Sequence, residues 1–236
     1  MPDNLHIETV FLRPACPAEA GRVIDIYESN PHPFLLPRPA TDFRRAVARG
    51  QHFVVEQHGQ IVAASGVFDY TDDRPFVELS ETLVLPPLRR RGLQGLFFRL
   101  RIASVVVTQG PSIGITTAID PRNEVSLTSA HSQGFQLWPS VIPEAYASCS
   151  TCRNQEAASK MGRPCCCDFY CLPIEQARAR VRALLAETTL LDEFTEGPVD
   201  LHGKAGSLSV DCSGCRVVAD HDYRAMLRDF ADGASW

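Results

Sequence analysis

No apolar run in the 236-residue chain approaches the ~20 residues that a membrane-spanning helix needs. The first residues are polar, with Asp3, Asn4 and His6, so no secretory signal is read there and the expected compartment is the cytoplasm. An excess of positive charge is also lacking. The formal net charge is -5, which argues against general binding to nucleic acid or to an anionic membrane surface. Two phosphate-binding signatures are missing. There is no G-x-G-x-x-G dinucleotide fingerprint and no Gly-Lys followed by Ser or Thr, as a P-loop requires. The cysteine count, nine, is odd, and without a secretion signal it argues against a disulfide framework. At 44% hydrophobic and 22% charged, the composition is ordinary for a globular protein. The length suits one large domain or a domain with an extension.

Against that acidic background one basic stretch stands out, Leu83-Val84-Leu85-Pro86-Pro87-Leu88-Arg89-Arg90-Arg91-Gly92-Leu93-Gln94-Gly95-Leu96-Phe97-Phe98. It reads as a strand, a short loop and the start of a helix. The prolines end the strand because neither donates to a ladder. Leu93, Leu96, Phe97, Leu100 and Val107 follow at helical spacing. The loop thus delivers free backbone N–H groups to the first turn of a helix, where the partial positive charge attracts anions. Gly92 and Gly95 let a ligand approach the backbone closely. Three arginines add attraction for phosphate. The physical reading is a cradle for pyrophosphate; the bland alternative is a solvated basic turn.

Upstream, Ile7 to Arg13 reads as a first strand, and Pro17 opens a helix with Ala20, Val23, Ile24 and Tyr27 on one face. Four prolines between Asn30 and Pro39 exclude a regular helix. A short helix is predicted from Asp42 to Ala48, capped by Thr41. His52–Glu56 and Ile61–Phe68 are strands around the His58-Gly59 turn. Phe76–Leu85 is a third strand, leading into the basic loop. Ser112–Ile119 follows the long helix and is expected to pair parallel to that third strand through a right-handed crossover. Farther on come a sixth strand from Gln136, a seventh from Cys165 to Leu172, and an amphipathic helix from Ile174 to Leu185. Short strands at Val199–His202 and Ser207–Val210 and a helix at Tyr223–Phe230 complete the chain.

Arg89 to Gly95 resembles the acyl-CoA loop of the GNAT N-acetyltransferase superfamily. Its pattern is Gln or Arg, two residues, Gly, one residue, then Gly or Ala. Gln94 stands where the second small residue usually lies, with Gly95 one step later. Asn123 through Gly134-Phe135 resembles the second GNAT motif at the usual separation. The opening strand, Arg13-Pro14-Ala15 and the first helix are also common in that superfamily. The resemblance implies a mixed α/β fold with a mostly antiparallel central sheet flanked by helices. Residues 1–172 form the expected GNAT domain, and 173–236 a C-terminal α+β extension. It implies transfer of an acetyl or other short acyl group from acetyl-CoA, or another acyl-CoA, to the amine of a small molecule. Thr82, Leu83 and Val84 match strand positions that contact pantetheine. Arg89, Arg90, Arg91, Gly92, Leu93, Gln94 and Gly95 match the pyrophosphate loop, and Asn123 matches the second motif. Glu78 matches a glutamate that deprotonates the amine through water. Alternation sets Glu78, Ser80, Thr82 and Val84 on one face and Glu81 on the other. Ala130 stands where many members have a tyrosine that protonates the leaving thiolate; water or another residue, Tyr146 among them, is the replacement considered. His32, Phe34 and Arg38 lie where the superfamily builds an acceptor wall, although the residues alone read as a surface loop.

Two Cys-x-x-Cys pairs, Cys149/Cys152 and Cys212/Cys215, offer four thiolates for a structural zinc. Cys165, Cys166, Cys167 and Cys171 compete as ligands, with Cys165, Cys167 and Cys171 expected on one strand face. Buried hydrophobic thiols are the competing reading. Two alternative functions stand beside acyl transfer: a CoA-binding sensor without turnover, and a zinc- or redox-responsive interaction protein. A homodimer is left open.

Overall fold

A computed structural model describes residues 9–35, 38–69, 76–138, 155–160, 162, 165–188 and 199–234. Strand β1 (Thr9–Pro14) leads through a 3-10 turn (Pro17–Glu19) into α1 (Ala20–Ser29). Glu19 fastens that entrance. Its carboxylate accepts from the Cys16 N–H at 3.0 Å and from the Arg13 guanidinium at 2.6 and 2.7 Å. Helix α2 (Ala40–Ala48) begins after Pro39, so Thr41 lies inside it and does not cap it. Pro39 stands at the cap position and supplies no side-chain hydrogen bond to the first turn.

Strands β2 (His52–Gln57), β3 (Gln60–Asp69) and β4 (Phe76–Val84) form an antiparallel meander with β1. Helix α3 (Leu93–Gln109) then crosses to β5 (Gly114–Ile119), which runs parallel to β4. Helix α4 (Glu124–Ser132) and short β6 (Gln136–Leu137) follow. After α5 (Gln155–Lys160), β7 (Asp168–Leu172) inserts antiparallel between β5 and β6. The three consecutive cysteines therefore precede β7, and strand alternation does not govern them.

Helix α6 (Ile174–Thr188), the hairpin β8 (Val199–Gly203) and β9 (Gly206–Asp211), and helices α7 (Arg216–Ala219) and α8 (His221–Asp232) make up the C-terminal part. Strand β9 pairs parallel to β1, so the hairpin extends the sheet at its first edge. Among the described residues, nine strands form one mixed sheet in the order β6-β7-β5-β4-β3-β2-β1-β9-β8.

The sheet separates two apolar layers. Helices α1 and α2 bury Val23, Phe43 and Val47 against Val54, Ala64 and Leu83. The other face buries Leu96, Phe97 and Leu100 of α3 together with Val181, Leu184, Leu227 and Phe230 from the C-terminal helices. The 173–236 segment therefore contributes to the main core. No helix among the described residues is long and apolar enough to cross a membrane.

Candidate functional site

The parallel pairing of β4 with β5 is short. It joins Phe76 to Gly114, Val77 to Ile115 and Glu78 to Thr116. Beyond that point β4 continues to Val84 and β5 to Ile119 without pairing to each other. Strand β5 stays fixed to β7 through Ile119, and β4 to β3 through Val84. The two parallel strands therefore part after Glu78 and Thr116, leaving a slot with an open strand edge on the β4 side.

The basic loop stands at the end of β4. Pro86–Leu88 forms a 3-10 turn, and Arg89 donates from Nε to the Val84 carbonyl at 2.8 Å. Arg90 and Gly92 both have positive φ, 64° and 92°, and Gly92 caps α3. Gly92 makes a left-handed step there, and the first N–H groups of α3 have no intrahelical acceptor. Gly95 sits one turn in, where a Cβ would lie 3.4 Å from Arg99 Nη1 and 3.7 Å from Gln133 Nε2. Leu93 is buried in the core, and Gln94 is half-buried.

The C-terminal hairpin abuts this loop, a contact that sequence reasoning missed. Ala205 donates its N–H to the Arg90 carbonyl at 3.1 Å. A Cβ on Gly203 would lie 2.1 Å from the Arg90 oxygen and 2.6 Å from the Arg91 Cα, so only glycine permits this approach. The sequence signal was the Gly203-Lys204-Ala205-Gly206 turn, which named no partner.

The wall of the slot carries two carboxylates on one guanidinium. Arg38 Nη2 meets Glu78 Oε2 at 2.6 Å, and Arg38 Nε meets Glu81 Oε1 at 3.1 Å. This corrects the strict alternation expected along β4. The register between β3 and β4 shifts between Ala64 and Gly66, and Glu81 has φ of 53°. A bulge places one extra residue in the strand and re-aims the side chains that follow it. Glu78 and Glu81 consequently share the α1–α2 side, while Thr82 hydrogen-bonds Ser65 at 2.7 Å. Leu83 enters the α1–α2 core, and Val84 packs against the α3 core.

Backbone oxygens around the bulge are satisfied from both faces. Tyr27 donates its hydroxyl to the Glu81 carbonyl at 2.5 Å, and its oxygen lies 3.3 Å from His52 Nε2. From the other side, Arg101 Nη1 reaches the Gly66 and Ser80 carbonyls at 3.3 and 3.2 Å. Sequence reasoning missed both groups; an arginine amid the buried apolar face of α3 was the only hint of the second. Burial shifts these groups in different directions. It pushes Glu81 up to about 7, aided by Glu78 and opposed by Arg38. It lowers His52 to about 3 and Arg101 to about 9, and raises Tyr27 well above its ordinary value. The buried wall thus combines a neutral imidazole, a neutral phenol and a carboxyl group poised near neutrality.

Asn123 caps α4, accepting from the Ser126 N–H at 3.2 Å. Ala130 is fully buried in the main core, so that position does not face the slot. His131 is exposed, its ring 5.5 Å from that of Tyr170. Arg38 is not the surface residue its loop suggested, and its guanidinium also lies 4.2 Å over the Phe68 ring. Phe34 of the same loop faces Arg122 at 5.9 Å, and the His32 ring lies 5.5 Å from that of Phe34. Tyr146, Cys149 and Cys152 lie outside the described residues. A cavity of about 230 Å³ lies elsewhere, at the far end of α3 among Val106, Gly110, Ile174 and Phe230.

No family model matches the chain, and no curated protein matches it. Solved structures do resemble it. One is an acetyltransferase of the GNAT family from Streptococcus pneumoniae, 13% identical, covering 56% of this chain and 91% of its own, with a TM-score of 0.45. Another is yncA, a putative acetyltransferase from Salmonella typhimurium with its cofactor acetyl-CoA. It is 20% identical, covers 54% of this chain and 80% of its own, and has a TM-score of 0.45. A third is the diaminobutyrate acetyltransferase EctA from Paenibacillus lautus in complex with L-2,4-diaminobutyric acid and coenzyme A. It is 16% identical, covers 55% and 79%, and scores 0.43. The chain is thus a mixed α/β protein similar to GNAT acetyltransferases.

Proposed function

We propose that this chain is an acyl-CoA-dependent N-acyltransferase, with acetyl-CoA as the simplest donor and a small-molecule amine as acceptor. The observation that carries the reading is the parting of β4 and β5 after Glu78 and Thr116, with the basic loop at one end of the opening. The open β4 edge beyond Glu78 suits an extended amide chain such as pantetheine, which pairs as an added strand does. The N–H groups of the first turn of α3, with Arg89, Arg90 and Arg91 beside them, suit its pyrophosphate. Thr82, Leu83 and Val84 line the strand, while Asn123 orders the loop after β5.

In this reading catalysis is mostly positioning. The amine nitrogen attacks the thioester carbonyl, a C–N bond forms and the C–S bond breaks. The proton lost by the ammonium passes to the Glu78/Glu81 pair, directly or through water. A proton from solvent or a neighbouring side chain, with Tyr146 the side chain considered, neutralises the departing thiolate. A carboxyl group near pH 7, as burial makes Glu81, suits a general base. Residues 1–172 carry the transfer, and 173–236 buttress the sheet and the loop.

One observation favours a second reading, a CoA-responsive module without turnover: the Gly203–Gly206 turn rests directly on the basic loop. Incubation with acetyl-CoA and a panel of amines, read as free thiol release, tests the choice. Amine-dependent release supports the transferase. Saturable CoA binding without release across the panel replaces it with the sensor.

A further inference from the structure

Cys165, Cys166 and Cys167 precede β7 in a bend, and their sulfurs all lie within 4.8 Å of one another. All three are buried, at 5%, 1% and 6% exposure. Among the described residues this is the one cluster of three side chains competent to hold a metal. Three observations distinguish it from incidental core thiols. Consecutive residues on a regular strand would point to opposite faces, yet these three converge. The Cys166 and Cys167 sulfurs are 3.8 Å apart. A tetrahedral ion with bonds of ~2.3 Å to sulfur sets its ligands roughly 3.8 Å apart. The Cys167 N–H points to the Cys165 sulfur at 3.3 Å, an outer hydrogen bond that steadies a sulfur carrying negative charge.

Arg122 lies within electrostatic reach of Cys166 and Cys167, and Asp120 holds it at 2.9 and 2.5 Å. Asp120 follows directly on β5, and Ala118 of β5 packs in the same small core as the three cysteines.

We propose that Cys165, Cys166 and Cys167 form a thiolate site for zinc or a similar soft divalent ion, pinning the start of β7 to the end of β5. Each thiol gives up its proton to solvent as the ion binds, so three protons leave per ion and no electron is transferred. The site is unlike the four-thiolate set read from the two Cys-x-x-Cys pairs. Cys212 and Cys215 form a separate buried turn, with the Cys215 N–H on the Cys212 carbonyl at 2.8 Å. The proposal stands independently of acyl transfer, since it concerns metal content and not turnover.

The full chain, purified under reducing conditions, is stripped with chelator and titrated with Zn(II) or Co(II). The expected result is about one equivalent bound, with a sulfur-to-cobalt charge-transfer band in the Co(II) protein. Cys166→Ser with Cys167→Ser is expected to abolish that band, whereas Cys212→Ser with Cys215→Ser keeps it. Undiminished binding in a protein lacking all three cysteines overturns the assignment. If that variant does not fold, the native chain decides: folded by circular dichroism and showing no charge-transfer band, it refutes the site.

Discussion

Glu81→Gln isolates the physical cause behind the unusual carboxyl group. Glu81 is 6% exposed, and its pKa rises from 4.5 to about 7 because burial and Glu78 outweigh Arg38. An acid held above its unfolded value stays protonated in the fold while the unfolded chain ionises. Its stabilising contribution is therefore whole below about pH 4.5 and is lost as pH rises through about 7. A rise of roughly 2.5 units at ~1.4 kcal/mol per unit is a loss of about 3 kcal/mol in alkaline solution. Glutamine keeps the Oε1 acceptor that Arg38 and Ser80 approach at 3.1 and 3.5 Å, and it does not ionise. The variant is expected to match the native protein near pH 4.5 and to exceed it by ~2–3 kcal/mol at pH 8.5. Urea midpoints at several pH values, with the slope unchanged, give the measurement. A variant less stable than the native protein, by an amount that grows as pH rises, would refute the reasoning, because it would mean that Arg38 keeps Glu81 ionised. On the proposed role of the Glu78/Glu81 pair in taking the amine proton, amine-dependent turnover should fall in this variant as its stability rises.

Glu78→Gln is expected to lower kcat by ~10²-fold with little change in CoA affinity, as loss of a general base does; unaltered turnover from pH 5 to 9 would exclude that role. Gly92→Asp, at φ of 92° and with its Cβ 3.3 Å from Leu201 Cβ, puts a strained, like-charged residue in the loop and should abolish CoA binding by calorimetry; unchanged affinity in a variant still folded by circular dichroism would remove the loop from the site. Gly203→Ala drives a Cβ to 2.1 Å from the Arg90 oxygen, so the hairpin or the loop must move. It should cost ~1–3 kcal/mol of stability and weaken CoA binding in parallel, and unchanged affinity would uncouple the hairpin from the loop. Ala130→Tyr forces a ring into a fully buried position and should destabilise by ~1–3 kcal/mol without accelerating turnover.

The elements were legible where a local period or a backbone rule decides them. The 3.6-residue spacing from Leu93 to Val107 marked α3, and His58-Gly59 marked the β2–β3 turn, where both residues have positive φ. Gly92 could be placed at the helix entrance because a Cβ-free position was needed there, and its φ of 92° meets that need. The parallel return of β5 followed from the strand–helix–strand order, because a crossover helix carries the chain back to the end where β4 began. Pairing partners of the extension were not legible. Alternating residues in Val199–His202 fit many sheet edges, and only the assembled fold brings β9 beside β1.

What alternation could not carry was the site. A strand read residue by residue keeps Glu78 and Glu81 on opposite faces, and it separates Cys166 from its neighbours. Both expectations rest on a regular two-residue repeat, and both fail where the repeat is broken. At Glu81 a bulge flips the sides, because carbonyls near it are held by Tyr27 from one face and Arg101 from the other. Those two partners come from α1 and α3, distant in sequence, so nothing in the β4 segment alone announces the bulge. At the cysteines, the bend before Asp168 makes the strand start three residues later than composition suggests. The chemistry gathers at these irregularities for a physical reason. A regular strand spaces its side chains evenly along each face, whereas a bulge or a bend brings two carboxylates onto one arginine, or three sulfurs into one cluster.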